Sequence, residues 1–321
     1  MRPSTWAGAR PSPGPRRLSY RLSRALWVAA CLAPALLLFT VVVAYPILSA
    51  MAYSLFRWDG IIRGGFAGLA NFRRLFGQYP YSARMLTAFW HNVWTFVLTM
   101  VIQNGLGLLF AALLAGRTWG AGAYRAIFFM PVTLSLVIVG FLWQLFLNPV
   151  WGIVNKGLAL IGLARLTLPW LGDAHTALVS IVLVNAWRWV GFPTIVFLAG
   201  MQAVPDEYLE AARLDGAGSG AIFRRVLLPL IAPQVNIIVI LTFIGAFNWF
   251  ELPYVMQGVT GEPNHATDVL GLLFYRSAFG AVDTGNPDVG LGSAIAVVMF
   301  ALVLAFSSIG AVYLRRREIE A

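Results

Sequence analysis

Charged residues and cysteines are scarce in this chain of 321 residues, and each shortage excludes a class of protein. Only 11% of the residues are charged, against about 25% in a typical soluble domain, whereas 59% are hydrophobic. Cys31 is the only cysteine, so the chain can form neither an internal disulfide framework nor a cysteine-based metal site. This composition predicts an integral membrane protein.

A phosphate-binding loop is also missing from the sequence. Lys156 is the only lysine, and its surroundings, IVNKGLAL, do not match the G-x-x-x-x-G-K-[ST] pattern that binds nucleotide phosphates. The histidines, His91, His175 and His265, lie far apart, and none has a carboxylate at a spacing suited to a metal ion. The chain is therefore expected to bind neither ATP nor a metal itself.

Six apolar stretches are long enough to cross a membrane, which takes about 20 residues. They cover residues 26–48, 93–114, 126–147, 178–201, 235–256 and 295–314. The first stretch exceeds the apolar region of a cleaved signal peptide, so we expect it to be retained. The sequence predicts an all-α, polytopic membrane protein with six transmembrane helices in one domain, residues 25–321. Residues 1–24 are basic and rich in proline and glycine at their start, which predicts a disordered cytoplasmic tail.

Arginines account for almost all of the net charge of +10, and their positions predict the orientation. An even number of spans puts both termini on one side, where most arginines also fall: Arg16, Arg17, Arg21, Arg24, Arg117, Arg125, Arg213, Arg224, Arg225, Arg315, Arg316 and Arg317. This side is predicted to be the cytoplasm. Because the arginines sit at the ends of apolar segments, nucleic acid is not an expected partner. The long connection between the first two spans carries arginines on the other side and is expected to form a small folded cap.

The stretch PDEYLEAARLDGAGSGAIFRRVLLPLIAP, residues 205–233, is unusually hydrophilic for this chain. Pro205 followed by acidic residues is typical of a helix start, and the glycines of DGAGSG predict a sharp bend before a second short helix. We therefore expect a helical elbow in a cytoplasmic loop between the fourth and fifth spans. Ala211 and Ala212 would let a partner approach closely, although the pattern alone supports a solvated connector equally well.

This elbow resembles the EAA loop in the permease subunits of ATP-binding-cassette (ABC) importers. The resemblance lies in Glu210-Ala211-Ala212, Gly216, Val226 and the Leu228-Pro229 pair. Further similarity to the carbohydrate branch of these permeases, of the maltose or glycerol-3-phosphate transporter type, is carried by YPILSAMAYSLFRWDG (45–60), YRAIFFMPVTLSLVIVGFLWQLF (124–146) and NAWRWVGFP (185–193). The resemblance covers nearly everything after about residue 25 and implies the type I ABC importer permease fold.

The resemblance also implies partners and a role for the elbow. Its residues would form a coupling helix that docks in a groove of a cytoplasmic ATPase: Glu210, Ala211, Ala212, Asp215 and Gly216. The implied partners are a second homologous permease, two ATPase subunits that bind ATP and Mg, and an extracytoplasmic solute-binding protein. The implied location is a bacterial inner (plasma) membrane, surrounded by lipid, with no cofactor in this chain.

Polar residues inside the fourth and fifth spans are the candidate solute contacts, because polar groups in lipid are costly and default to a functional interpretation. They occur with neighbouring aromatic residues: Asn185, Trp187, Arg188, Trp189, Thr194, Phe247, Asn248 and Glu251. Amides and carboxylates suit sugar hydroxyls, and aromatic faces suit sugar C–H surfaces. The resemblance places solute against the face that carries Asn248 and Glu251, which we expect on one side of the fifth helix. Hydrogen bonding between helices by Asn185 and Asn248 is the alternative.

Two of these charged residues leave questions open. Glu251 stands where the maltose-type pattern has an amide, so the identity of the sugar is undefined. Arg188 could pair with Glu251, contact an anionic solute or extend its charge towards water. Pairing is favoured because it would neutralise two costly charges. Gln103, Asn104 and Gln144 are interpreted as packing residues.

These features predict the membrane-spanning subunit of an ATP-driven, binding-protein-dependent importer that forms the path for a sugar or sugar-like solute. An ion-coupled secondary transporter is the main alternative, since it also needs a polar cavity and broken helices. A membrane enzyme is less well supported, because no nucleophile–base pair is visible.

Overall fold

A computed structural model describes residues 16–116, 120–280 and 285–318 of the chain. Residues up to Ala50 form a unit of their own, with helix α1 (Arg16–Phe39), a π-helical turn (Thr40–Ala44) and most of helix α2 (Tyr45–Tyr53). The side chains of residues 24–43 are all exposed, as expected of a helix surrounded by lipid.

The start of α1 corrects the predicted tail. The helix begins at Arg16, so the predicted tail boundary at residue 24 lies inside it. The arginines, leucines and alanines of this stretch are good helix formers although they are not uniformly apolar. Residues 1–15 lie outside the described residues.

The second unit, from Met51 onwards, opens with the small cap expected from the sequence. Strands β1 (Phe56–Asp59) and β2 (Ile62–Phe66) pair antiparallel, and helix α3 (Ala70–Gly77) follows. Asn71 ties the cap together, because its side-chain nitrogen donates to the Ser54 oxygen at 2.8 Å and to the Phe56 oxygen at 2.9 Å. The hairpin is the one sheet among the described residues of an otherwise helical fold.

The remaining elements are helical. In chain order they are α4 (Tyr81–Thr99), a π-helical turn (Met100–Asn104), α5 (Gly105–Leu114), α6 (Ala121–Phe129), a 3-10 turn (Met130–Thr133), α7 (Leu136–Phe146), α8 (Ile153–Leu160), a 3-10 turn (Ala164–Leu166), α9 (Ala177–Trp189), α10 (Gly191–Gln202), α11 (Asp206–Leu214), α12 (Ser219–Ile222), a π-helical turn (Phe223–Leu227), α13 (Leu228–Leu230), α14 (Ala232–Phe247), α15 (Glu251–Gln257), α16 (Leu270–Phe279) and α17 (Val289–Glu318).

Within the described residues, three helical segments can cross a membrane by length and apolarity alone. They are 24–53, 81–114 and 289–312. Three bent helix pairs raise the number to six if each pair is counted as one span. All six predicted stretches overlap these segments, whose ends differ because a helix does not stop where the apolar composition stops.

Two of the three bends coincide with a proline or with a close packing contact. The pair α6–α7 turns by 95°, and the pair α9–α10 by 48°. Pro131 lies in the 3-10 turn of the first bend. At the second bend, a side chain at Gly191 would lie 2.2 Å from the Phe128 carbonyl oxygen, so only glycine lets the two bends pack together.

Three groups of buried apolar side chains hold the second unit together. Ile181 and Leu252 belong to a group between α7, α9 and α15, whereas Phe247 and Leu270 belong to one between α4, α14, α16 and α17. Phe197 and Ile238 belong to the third, between α5, α10 and α14. Together these contacts place α4, α9, α10 and α14 around a common space.

Candidate functional site: a polar cavity and a helical elbow

A cavity of about 790 Å³ lies between α4, α9, α10, α14 and the start of α15. Five predicted solute contacts line it: Asn185, Arg188, Trp189, Asn248 and Glu251. Further polar residues line it that the sequence analysis did not single out as contacts: Thr95, Thr99, Gln103, Asn104 and Thr242. The cavity therefore combines amides, hydroxyls and both signs of charge with aromatic rings.

The other three predicted contacts do not line this cavity. Trp187 lies 5.5 Å from Trp143, ring centre to ring centre, and is 42% exposed. On α9, Asn185, Arg188 and Trp189 are three and four residues apart and share a face, so Trp187 is turned away from it. Thr194 and Phe247 are buried in helix contacts: the Thr194 hydroxyl donates to the Val190 oxygen at 2.7 Å.

The fifth span is broken where the sequence predicted a continuous helix. α14 ends at Phe247, Asn248 is its C-cap, and α15 begins only at Glu251. Phe250, with φ −143° and ψ −56°, is not helical. The expectation that Asn248 and Glu251 share one helix face is therefore wrong. Both side chains reach the cavity because residues 248–251 themselves form part of the cavity wall. Non-helical backbone is tolerated at membrane depth where it lines such a cavity.

Arg188 and Glu251 line the same cavity but form no direct salt bridge. One terminal nitrogen of its guanidinium, Nη2, donates to the carbonyl oxygens of Val132 at 3.4 Å and Leu134 at 3.2 Å. The ion pairs among the described residues involve other side chains. The direct ion pair favoured from the sequence is therefore not formed, because the bend in the third span frees carbonyl oxygens that accept hydrogen bonds from Arg188.

The amides that the sequence analysis assigned to packing form a hydrogen-bonded chain along the cavity. Asn185 Nδ2 donates to Gln103 Oε1 at 3.3 Å, and Gln103 Nε2 donates to Asn104 Oδ1 at 3.3 Å. Asn104 Nδ2 donates to the Thr242 hydroxyl at 2.8 Å. These hydrogen bonds join three spans, so Asn185 forms the interhelical contact that the sequence offered as one alternative, and its side chain also lines the cavity.

A π-helical turn explains why these residues were missed. Gln103 and Asn104 are consecutive, and both are buried in the turn Met100–Asn104. A regular helix would set neighbouring side chains about 100° apart, and a π-turn changes that register locally. The sequence did contain one indication of their role, since Gln103 and Asn104 are two adjacent amides in the middle of an apolar span. Gln144 is a packing residue as expected, because it donates to the carbonyl oxygens of Val255 and Met256.

The elbow has the predicted backbone. α11 carries Asp206 and Glu207 in its first turn and ends in a left-handed Gly216 with φ 80°. The Ala217 nitrogen donates to the Ala212 oxygen at 2.9 Å, and the Gly216 nitrogen donates to the Arg213 oxygen at 3.0 Å. These two bonds form a Schellman cap that ends the first arm of the elbow.

The second arm of the elbow is attached to the membrane helices. Ile222 and Ile231 are buried, and Phe223 and Leu228 pack against the group of side chains around Phe197. On the first arm, Glu210, Ala211, Asp215 and Gly216 are exposed and Ala212 is half-buried. The elbow therefore presents a free first arm and a second arm fixed to α10 and α14.

Comparisons with known proteins agree with this architecture. The family model for binding-protein-dependent transport system inner membrane components matches residues 103–319. A probable ABC transporter permease protein, YurN of Bacillus subtilis, is 37% identical over 280 residues, which cover 86% of this chain and 91% of that protein. The trehalose/maltose transport system permease protein MalF of Thermococcus litoralis is 35% identical over 246 residues, 75% of this chain and 77% of that protein.

A solved structure shows the same fold. One chain of a bacterial alginate ABC transporter, crystallised with an alginate pentasaccharide-bound periplasmic protein, superposes with a TM-score of 0.78 at 21% identity. The match covers 94% of this chain and 98% of that chain. These similarities give no support to a secondary transporter. The chain belongs to the family of binding-protein-dependent transport system inner membrane components and has the type I ABC permease fold.

Proposed function

We propose that this chain forms the path by which a sugar or sugar-like solute enters a bacterial cell, as one of two permease subunits of an ABC importer. Relatives named for trehalose and maltose, starch degradation products and multiple sugars support a saccharide solute. The partners would be a second homologous permease, two cytoplasmic ATPase subunits that bind ATP and Mg, and an extracytoplasmic binding protein.

The chemistry of the cavity carries this proposal. Amide and hydroxyl groups of Asn185, Asn248 and Thr99 can bond to sugar hydroxyls, and the rings of Trp189 and Phe250 offer apolar faces. Glu251 is exposed at the start of α15 and forms no ion pair with another described residue, so its carboxylate is available to accept from hydroxyl groups. A volume of about 790 Å³ lies within the range of small-molecule sites, roughly 300–1,000 Å³.

Replacing the acidic group of the cavity tests the site. Glu251→Gln should lower the rate of sugar uptake per assembled complex about tenfold or more, because a hydrogen bond to a charged partner contributes about 1.5–3 kcal/mol. Asn248→Ala should lower it about threefold, since a neutral hydrogen bond contributes about 0.5–1.5 kcal/mol. Uptake of radiolabelled sugar into proteoliposomes, divided by the amount of assembled importer, measures both.

Glu262→Gln is the matched control, because Glu262 lies outside the cavity and its carboxylate accepts from the Thr260 hydroxyl at 3.0 Å. This variant should transport at the wild-type rate. Unchanged uptake in assembled Glu251→Gln and Asn248→Ala complexes would place the solute elsewhere.

The orientation of the chain is a separate part of the proposal. With both termini in the cytoplasm, the elbow faces the cytoplasm and α8 faces outwards. Of the arginines on which this orientation depends, Arg117 lies outside the described residues. The proposal rests on the remaining arginines and on the family resemblance of the elbow.

Thiol labelling tests this orientation. In a Cys31→Ala background, Ser219→Cys should react with a membrane-impermeant maleimide only from the cytoplasmic side, and Lys156→Cys only from outside. Both positions are exposed on helices. Lys156 is preferred to Asn264, which lies in the connection between α15 and α16 on the same predicted side, because the φ of 51° at Asn264 disfavours most side chains. The reverse labelling pattern would overturn the topology.

A further inference from the structure

Four aromatic rings form a continuous file that begins at the cavity. Phe250 lines the cavity, and its ring centre lies 5.2 Å from that of Tyr254 and 5.2 Å from that of Tyr275. Tyr254 and Tyr275 are 5.7 Å apart, and Tyr275 lies 5.2 Å from Phe279. Each ring of this aromatic file is therefore within contact distance of the next.

Helical spacing places the rings in line. Tyr275 and Phe279 are four residues apart on α16 and share one face, whereas Phe250 immediately precedes α15 and its ring stacks on that of Tyr254 within α15. Gly271 precedes Tyr275 by one turn on the same face. A side chain at Gly271 would lie 2.5 Å from the Trp249 oxygen, so glycine lets α16 pack directly on the break in the fifth span.

The aromatic file ends at the surface rather than in the protein interior. Tyr254 is 40% exposed and Phe279 is 63% exposed. Phe279 is the last residue of α16, and α17 begins at Val289, next to the ion pair of Asp288 with Arg74 of the cap at 2.8 Å. The exposed end of the file therefore belongs to the same part of the chain as the start of α17, which the proposed orientation places outside.

The two ends of the file have different surroundings. Phe279 is mostly exposed and contacts Phe274 at 6.4 Å between ring centres, whereas Phe250 lines the cavity. The file also joins a cavity that already combines ring faces with hydrogen-bonding groups. Ring faces and the phenol hydroxyls of Tyr254 and Tyr275 are the groups that pack against and bond to saccharide rings.

We propose that Phe250, Tyr254, Tyr275 and Phe279 form a saccharide-binding track that guides sugar rings between the outer surface and the cavity. The proposal rests on the proposed function, because it requires that the imported solute is a saccharide. It assigns ligand contacts to α16, which does not line the cavity itself.

Uptake by the assembled importer tests the track. Wild-type proteoliposomes with the cognate binding protein are first assayed with radiolabelled maltose, trehalose, sucrose and maltotriose. For the sugars that are taken up, Phe279→Ala and Tyr275→Ala should lower the maximal rate per complex about threefold to tenfold, the effect of losing one aromatic contact. Tyr275→Phe keeps the ring and should stay within about twofold of wild type.

Phe76→Ala is the matched control, because Phe76 is a 59% exposed aromatic residue on α3 that does not belong to the track. It should transport at the wild-type rate. If wild type takes up a sugar and Phe279→Ala is equally active, the track is wrong and the proposed function stands. If wild type takes up none of these sugars, the sugar proposal fails and the track fails with it.

A labelling experiment distinguishes sugar from a protein partner as the occupant of this face. In a Cys31→Ala background, Phe279→Cys in the assembled importer should react with a hydrophilic maleimide, and a transported sugar should slow the reaction. A thiol that reacts in the isolated chain but not in the assembled importer would show that the second permease covers the face, which would overturn the track.

Discussion

Ala211→Trp is expected to abolish the stimulation of ATP hydrolysis by solute-loaded binding protein, while the importer's membrane helices stay folded. Ala211 is exposed on the first arm of the elbow, so the larger side chain can point into solvent without disturbing the fold. Under the proposed function, it would instead hold the arm away from the groove of the partner ATPase. Loss of about 1.4 kcal/mol of docking free energy is a factor of ten, so we expect at least a tenfold fall in stimulated activity.

Position 211 is a cleaner test than position 212, because Ala212 is half-buried and a large residue there would also disturb the elbow. Ala159→Trp is the control, since Ala159 is an exposed alanine on α8. Stimulated ATPase activity of reconstituted importer is the measurement. Normal stimulation in Ala211→Trp vesicles would refute the coupling role of the elbow.

Arg276→Gln is expected to destabilise the protein by about 3–5 kcal/mol, the cost of leaving one partner of a buried ion pair without the other. The Arg276 and Asp268 side chains are 0% and 1% exposed. Arg276 Nη1 donates to Asp268 Oδ1 at 2.7 Å, and Nη2 binds the second carboxylate oxygen. Arg276 also donates to the Val259 oxygen at 3.3 Å, so the pair holds the connection between α15 and α16 against α16.

The melting temperature of the purified importer measures this loss. Arg74→Gln is the matched control, because the Arg74–Asp288 pair is partly exposed, with side chains 32% and 21% accessible, and such pairs contribute about 0–1 kcal/mol. The double change Asp268→Asn with Arg276→Gln should recover part of the loss by removing the unpaired charge. Equal melting temperatures for Arg276→Gln and Arg74→Gln would contradict the expected role of the buried pair.

The positions of the apolar spans and of the elbow could be predicted because they depend on local chemistry. Apolar length follows from composition alone, and all six stretches overlap helices that can span a membrane singly or as bent pairs. The ends of the first arm of the elbow are also local, since Pro205 precedes the helix and Gly216 adopts the left-handed conformation that closes it.

The composition of the cavity could be predicted only in part. Asn185, Arg188 and Trp189 line it because helical spacing puts them on one face of α9. Trp187, Thr194 and Phe247 were chosen by the same chemical criterion, but Trp187 and Phe247 contact rings on other helices and the Thr194 hydroxyl bonds within its own span, which residue type does not reveal.

Contacts between distant segments decided the features of the cavity that the sequence did not predict. The break at residues 248–250 contains neither proline nor glycine, and α16 packs against it through Gly271, more than twenty residues later in the chain. The charge of Arg188 is met by carbonyl oxygens of Val132 and Leu134, which are free only because the third span bends. The composition of each segment determined which parts of the chain enter the membrane. The packing of those segments decided which polar groups face the cavity, because the partner of a buried group comes from whichever helix lies beside it.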